Sequence, residues 1–248
     1  MRVFGLSFLF VIVLFVTLIA TMPLGFVLDR APMQRLGVRW SGTSGTIYSG
    51  QINGVVAGAQ SIGDIAIRLD PMDLVNRKIS YFVEWTGVPG SGTAGVSVGR
   101  DSVAISDLNA SIDIEPLVGL AGELRRIGGT ASIRSGEVLF VRDVCVEASG
   151  QVTTNVLGRA AASYGQTGSD LVGILSCDGS MLNIPLSGSV SGGDTVDAQI
   201  RVGLSEPSSF SSSVKTTNPE LSALLLLRGF ERVGDMLSYN RTVQIGGA

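Results

Sequence analysis

DLNASIDI, residues 107–114, is the stretch that decides the fold of this chain. Its apolar side chains Leu108, Ala110, Ile112 and Ile114 alternate with polar or charged ones, a period of two that is typical of a β-strand with one buried face. The same alternation recurs in residues 65–69, 79–85 and 196–204, and in residues 138–146 with one break at Arg142; glycine-rich turns separate the runs. The pattern therefore predicts a mainly β fold, an antiparallel β-rich domain in which each strand turns its apolar side chains to one face.

Two or three short helices are predicted where this alternation stops. Pro116 begins the first, because apolar residues at helical spacing follow it until Gly128 and Gly129 end the helix. A shorter turn of helix is predicted after Pro71, where two apolar residues follow. Both segments connect runs that are predicted to be strands.

Another helix is predicted near the C-terminus. Asn218 is placed to act as its N-cap, and Pro219 suits its first turn. The run Leu221–Leu227 is apolar on more than one side, which predicts that it belongs to the core. The serine-rich segment before this helix, residues 205–217, is predicted to be a long loop.

The N-terminal 28 residues are predicted to be a transmembrane anchor. No charged residue occurs from Val3 to Leu28, and a helix of that length would measure about 39 Å, enough to cross a bilayer with some tilt. The polar boundary at residues 20–23 lacks the pattern of a cleavage site, so an uncleaved signal anchor is favoured over a cleaved signal peptide. The predicted organisation is an anchor at residues 1–28 and a β-rich domain at residues 29–248.

Cys145 and Cys177 are the two cysteines of the chain. They suit one structural disulfide in an oxidising compartment, which favours an exported domain, whereas two buried free thiols are the alternative. A bridge between them would stabilise the fold by about 3 to 4 kcal/mol, because it shortens the free loop of the unfolded chain. Charge alone does not orient the anchor, since basic residues both precede and follow it, at Arg2, Arg30, Arg35 and Arg39.

Composition excludes several kinds of chemistry. The chain has no histidine, and its formal net charge is −3. Catalysis by histidine and metal binding by histidine are therefore excluded, and no cofactor is predicted. Nucleic acid is not an expected partner, because the chain has no excess of basic residues to neutralise phosphates.

Three short motifs resemble catalytic signatures but lack the context that the chemistry needs. Residues 90–95 match a dinucleotide-binding fingerprint, yet the following residues continue as a strand rather than a helix. Residues 95–99 match a nucleophile elbow, but there is no histidine to accept the serine proton. Ser212 and Lys215 have the spacing of a Ser-x-x-Lys pair, but they lie in the predicted loop. The protein is therefore predicted not to be an enzyme.

A compact motif follows the predicted anchor, in the stretch SGTIYSG at residues 44–50. Its characteristic members are Gly45, Thr46, Tyr48 and Gly50, and after them come an alternating run, Pro71 with apolar residues, and a second alternating run. This order resembles protein N of the bacterial type II secretion system, and the resemblance extends to the leucine-rich helix near the C-terminus. The family often has a tryptophan just before the proline, where this chain has Leu69 and Asp70.

The resemblance implies a protein that crosses the bacterial inner membrane once and carries its C-terminal body in the periplasm. Its implied role is to assist assembly or bridging of the secretion machine, with other subunits as partners. A lipid carrier of the AsmA-like type is the alternative, because a sheet with one apolar face can also form a trough for lipid. An exported enzyme that uses serine or aspartate chemistry is a third, less favoured reading.

Overall fold

The computed structural model describes residues 21–30, 37–75, 78–117, 122–204 and 206–243. Sixteen strands in these ranges form one sheet. They are β1 (Val38–Arg39), β2 (Gly42–Gly45), β3 (Ser49–Ala57), β4 (Gln60–Leu69), β5 (Ile79–Gly87), β6 (Gly90–Val98), β7 (Ser102–Asp113), β8 (Thr130–Val141), β9 (Val144–Thr154), β10 (Leu171–Ile174), β11 (Ser176–Asp178), β12 (Met181–Val190), β13 (Asp194–Val202), β14 (Ser208–Lys215), β15 (Glu231–Val233) and β16 (Met236–Val243).

The described helices are all short. They are α1 (Leu24–Leu28), α2 (Pro71–Val75), α3 (Gly122–Ile127), α4 (Val156–Ser163) and α5 (Pro219–Leu227). The prediction of a mainly β fold is confirmed, and the helices predicted after Pro71 and Asn218 are present. The first predicted helix corresponds to α3, although residues 118–121 lie outside the described part of the chain.

The sheet is an antiparallel meander. From β3 to β10 each strand pairs with the next one along the chain, and the order then continues through β12, β13, β14, β16 and β15. The short strands β1 and β2 both pair with β3 at the first edge, while β11 pairs with β12. Short turns suffice for most of these connections, because neighbouring strands run in opposite directions.

Alternating strand directions place the connections at two opposite ends of the sheet. One end, here called the helical end, carries α3, α4 and α5 in the connections that follow β7, β9 and β14. The other end, here called the anchor end, carries α1 and α2 with the turns at residues 46–48, 99–101 and 142–143. The two ends are separated by the length of a strand, which for the 12 residues of β8 is about 40 Å.

Strand register places the apolar side chains on one face of the sheet, here called the apolar face. Ile65 lies opposite Trp85, and Trp85 lies opposite Gly92 on the next strand. The same alignment continues through β7 to β14 and joins a cluster of buried residues: Val138, Phe140, Cys145, Val152, Leu171, Leu175, Leu186 and Ala198. The alternation that begins at residue 107 therefore sets the face of the whole sheet, because paired residues of an antiparallel ladder point to the same side.

Burial on the apolar face is uneven. The buried cluster lies in the second half of the sheet, where α4 packs Leu157 against it. In the first half, Tyr81, Val83 and Trp85 are only half-buried. Within the described residues no large side chain is less than 2% exposed. The sheet is thus a single layer whose apolar face is fully covered only in its second half.

The alternating run at residues 138–146 is not one strand, because a turn at Arg142 and Asp143, both with positive φ, divides it between β8 and β9. Two other elements also differ from the sequence predictions. Residues 208–215 form strand β14 instead of a loop, because Ser208–Lys215 pairs with β13 on one side and β16 on the other. Helix α4 was not predicted, and it exists because Leu157 and Ala161 find apolar neighbours beside β12. In both cases long-range pairing or packing outweighs a weak local pattern.

The predicted anchor lies mostly outside the described residues, which begin at Thr21. In the ranges that the structure covers, no helix has the length and hydropathy needed to cross a bilayer. The last residues of the predicted anchor form the short helix α1, in which Leu24 is only 4% exposed. Leu24 therefore packs on the β-rich body, whereas Phe26 and Val27 on the same helix are exposed.

Candidate docking surfaces

The motif that follows the predicted anchor forms the turn between β2 and β3. Gly45 has a φ of +83°, and a Cβ atom there would lie 2.8 Å from the Cα of Gly50, so a larger residue does not fit. The Thr46 amide donates to the Ser49 carbonyl at 2.9 Å, and the Thr46 hydroxyl accepts from the Tyr48 amide at 3.3 Å. Glycine and threonine are therefore required by the geometry of this turn.

The same turn binds the segment that follows the apolar N-terminal stretch. The Ile47 amide donates to the Met22 carbonyl at 3.2 Å, and Pro23 forms an isolated bridge with Thr46. Leu24 rests on Gly50, where an added Cβ would lie only 2.7 Å from the Leu24 Cδ2 atom. We call this arrangement the anchor clamp, because it fixes the residues that leave the predicted anchor onto the sheet.

Tyr48 and Pro71 connect the anchor clamp to the next strands. The Tyr48 carbonyl accepts from the Leu69 amide at 2.8 Å, at the end of β4. Pro71 then begins α2, where the Asp70 carboxylate accepts from the Met72 amide at 2.9 Å. Burial, and to a lesser extent the nearby Tyr48, raise the pKa of the Tyr81 phenol. The five motif residues of the sequence prediction thus lie together at the anchor end.

Cys145 and Cys177 form a disulfide, with their Cα atoms 5.5 Å apart. The bond joins β9 to β11, two strands that are not neighbours in the ladder of the sheet. Beside it, the Cys145 amide donates to the Ser180 carbonyl at 3.0 Å. The bridge spans 32 positions of sequence and closes the anchor end of the buried cluster, where β10 has already ended.

The motifs that resemble catalytic signatures lie in ordinary strands. Residues 90–98 form β6, so the glycines at positions 90–95 pair with β7 instead of preceding a helix. Lys215 ends β14, with its Nζ 2.8 Å from Asp235 Oδ2. The hydrogen bond to Asp235, and then its charge, raise the pKa of Lys215. Among the residues that the structure covers, no cluster of acidic residues or cysteines could hold a metal ion.

Helix α5 forms the most exposed apolar surface at the helical end. Leu227 is 85% exposed and Leu226 is 42% exposed, while Leu224 and Leu225 are half-buried. The prediction that the Leu221–Leu227 run belongs to the core is therefore wrong for its last two residues. The helix is leucine-rich and packs on the sheet mainly through β16. Its buried residue is Ser222, whose hydroxyl accepts a hydrogen bond from Arg232 Nη2 at 2.6 Å.

These features define a class of protein. A single-layer antiparallel sheet follows an apolar N-terminal stretch, clamps the residues after it, and exposes apolar side chains at the far end. Such a molecule presents surfaces on which other molecules can dock.

Comparison with known proteins identifies the family. The type II secretion system (T2SS) protein N family matches residues 36–239, and the chain belongs to that family. The resemblance inferred from the motif at residues 44–50 is thereby confirmed, and the protein is linked to type II secretion. The matched region contains the motif residues, Pro71 and both cysteines. Neither a curated protein nor a solved structure matches the chain.

Proposed function

We propose that this protein is a non-enzymatic component of the type II secretion machine, held in the bacterial inner membrane by a single anchor, and that it assists assembly or bridging of the machine. The observation that carries this proposal is the family match over residues 36–239. The anchor clamp supports it, because it couples the membrane segment to the sheet through backbone contacts at Met22 and Pro23.

The proposed location places residues 3–20 in the inner membrane and the body in the periplasm. The Cys145–Cys177 disulfide favours this topology, because structural disulfides persist in oxidising compartments such as the periplasm. The cytoplasm would keep both thiols reduced. With this topology the anchor end faces the inner membrane and the helical end points away from it.

Other subunits are the proposed partners, and α5 is the proposed contact. Leu226 and Leu227 lie beyond the helical end of β14, whose 8 residues separate them from the anchor end by about 26 Å. Adjacent exposed leucines on one helix could form part of an apolar contact surface for another protein. The protein would then join the membrane to a subunit in the periplasm across that distance.

Deletion of the gene tests the proposed function. We expect proteins that the system exports to disappear from the medium and to accumulate in the periplasm, and a plasmid copy to restore export. A Leu14→Arg copy, which places a charge within the anchor, should restore less, because a charge at the centre of a bilayer is costly. Unchanged export in the deletion strain, under conditions where the system is active, would rule the proposal out.

The half-buried part of the apolar face favours a second candidate function, binding of a lipid or another hydrophobic ligand. Tyr81, Val83 and Trp85 line it, and the helices at the helical end leave this first half of the sheet uncovered. Mass spectrometry of gently purified protein tests this candidate. A stoichiometric lipid that is lost in a Val83→Asp variant would support a carrier, whereas lipid at trace level only would exclude it.

A further inference from the structure

Exposed apolar side chains gather at the anchor end of the sheet. Met72 is 76% exposed, and Phe26, Ile79 and Val98 are each almost half exposed. We call the full set the apolar rim; it consists of Phe26, Val27, Met72, Leu74, Ile79 and Val98. Large apolar side chains exposed to this degree are unfavourable in water when they are clustered.

Backbone contacts place these residues side by side. Ile79 lies opposite Val98 in the register of β5 and β6. Helix α2, which carries Met72 and Leu74, begins directly after β4, whose last amide is bound to Tyr48 in the anchor clamp. The rim therefore follows four neighbouring strands, β3 to β6, which at about 4.8 Å per strand spacing extends over about 15 Å.

The chain itself brings the rim close to a membrane. The apolar N-terminal stretch reaches Ala20, and Pro23 is bridged to Thr46 in the anchor clamp. Three residues of extended chain span at most about 11 Å. A membrane entered by residues 3–20 must therefore come within about that distance of the clamp, and so of the apolar rim beside it.

Charged groups around the rim suit the boundary between lipid and water. The Arg30 guanidinium lies 3.6 Å from the centre of the Phe26 ring, and its Nη1 donates to the Phe26 carbonyl at 3.3 Å. Lys78 and Arg100 are further cations near the rim, and the nearby carboxylates are Asp29, Asp70, Asp73 and Asp101. Since the charges nearly cancel, apolar contact rather than net attraction would hold the rim at a bilayer.

We propose that the apolar rim lies in the interfacial layer of the bilayer that residues 3–20 enter. The first strands of the sheet then stand on the membrane surface, and the anchor clamp joins the transmembrane segment to a body that is fixed in orientation. This inference rests on the proposed function, because it requires the anchor to be inserted in a membrane.

Fluorescent probes on the full-length protein in vesicles of phosphatidylethanolamine and phosphatidylglycerol test the proposal. A Met72→Cys variant carries an environment-sensitive dye on the rim, and the native cysteines stay unreactive in their disulfide while no reductant is present. Val88→Cys is the matched control, since Val88 is 75% exposed but lies in the turn at the opposite end of the sheet. Leu14→Cys reports insertion of the anchor itself.

We expect lipids with a nitroxide near the headgroup to quench the dye at position 72 at least about threefold more than the dye at position 88. Iodide in the water should show the reverse order. Equal access of iodide to both positions would overturn the proposal. Protection of position 72 from iodide and from nitroxide lipid alike would overturn it too, because a protein would then cover the rim.

The Leu14 probe distinguishes a failure of the rim proposal from a failure of the membrane anchor. If lipid nitroxides quench it while position 72 remains open to iodide, the anchor is inserted and the rim proposal alone is wrong. If lipid nitroxides do not quench it, the membrane anchor is wrong, and both the rim proposal and the proposed function fail with it.

Discussion

Leu24 lies directly on the backbone of Gly50, and this contact shows how single residues connect the anchor to the sheet. An added Cβ at position 50 would lie 2.7 Å from Leu24 Cδ2 and 2.8 Å from the Thr46 carbonyl oxygen. Both neighbours belong to the anchor clamp, and one of them is backbone that cannot rotate away. Gly50 is thus explained by the close approach of its neighbours, whereas Gly45 also has a positive φ.

We predict that Gly50→Ala lowers the free energy of unfolding by about 1 to 3 kcal/mol, because the new methyl group must displace Leu24 or the turn. Gly42→Ala is the matched control, since Gly42 lies in the same hairpin with no heavy atom within 4 Å of its added Cβ. We expect that control to stay within about 0.5 kcal/mol of the natural protein. Thermal and urea unfolding in detergent measure both, and equal losses would show that Gly50 is not held by Leu24.

At the scale of elements, α5 is a leucine-rich helix that is only partly covered by the sheet. Its N-cap agrees with the local sequence: the Asn218 side chain accepts from the Glu220 amide at 2.9 Å and from the Leu221 amide at 3.3 Å. Its C-terminal leucines point away from the sheet, as the 85% exposure of Leu227 shows. Local sequence therefore determines that this helix forms, while its packing determines which leucines remain free to bind a partner.

We predict that Leu227→Asp changes the free energy of unfolding by less than about 0.5 kcal/mol but prevents the protein from restoring export in the deletion strain. The reason is that an exposed leucine contributes little to the fold, whereas a charge in an apolar interface is costly to bury. Ala223→Asp is the control, because it adds the same charge to an exposed position of the same helix. Full export with Leu227→Asp, or equal failure of Ala223→Asp, would contradict the role given to these leucines.

At the scale of the whole molecule, stability is unequally distributed along one continuous sheet. The buried cluster, the disulfide and helix α4 all lie in the second half, from β8 onward. The first half has the same hydrogen-bonded ladder but few buried side chains, among them Val55 and Ala94. A single-layer sheet without a second layer depends on such local cover, because it cannot bury both faces.

We predict that backbone amides of β3 to β6 exchange hydrogen at least about tenfold faster than those of β12 to β14, since sparse apolar burial lowers the cost of local opening. Hydrogen exchange followed by mass spectrometry measures both regions in the same sample, so the second half serves as the internal reference. If the apolar rim contacts lipid, residues 70–79 should exchange more slowly in protein inserted in vesicles than in protein diluted into buffer without vesicles or detergent. Uniform protection across the sheet would show that burial does not set its stability.

The sequence by itself determined several central strands, their common apolar face and two of the helix starts. Alternation in residues 107–114 is a local property with a period of two, so it specifies which side chains share a face before any partner strand is known. Asn218 and Pro219 act within one turn of chain, which is why the start of α5 could be predicted. The motif at residues 44–50 was recognisable for the same reason, since its glycines serve one tight turn.

Only the tertiary structure decided what depends on residues far apart in the chain. Ser208–Lys215 became a strand because β13 and β16 lie on either side of it, and its serines alone carry no such signal. Leu227 is exposed because α5 reaches little of the sheet, whereas its sequence resembles that of a core helix. Leu24 belongs to the apolar N-terminal stretch but packs on Gly50, which lies 26 positions later in a hairpin. A sequence pattern reflects residues that are close together in the chain, whereas the burial of a side chain depends on residues that are close to it in space.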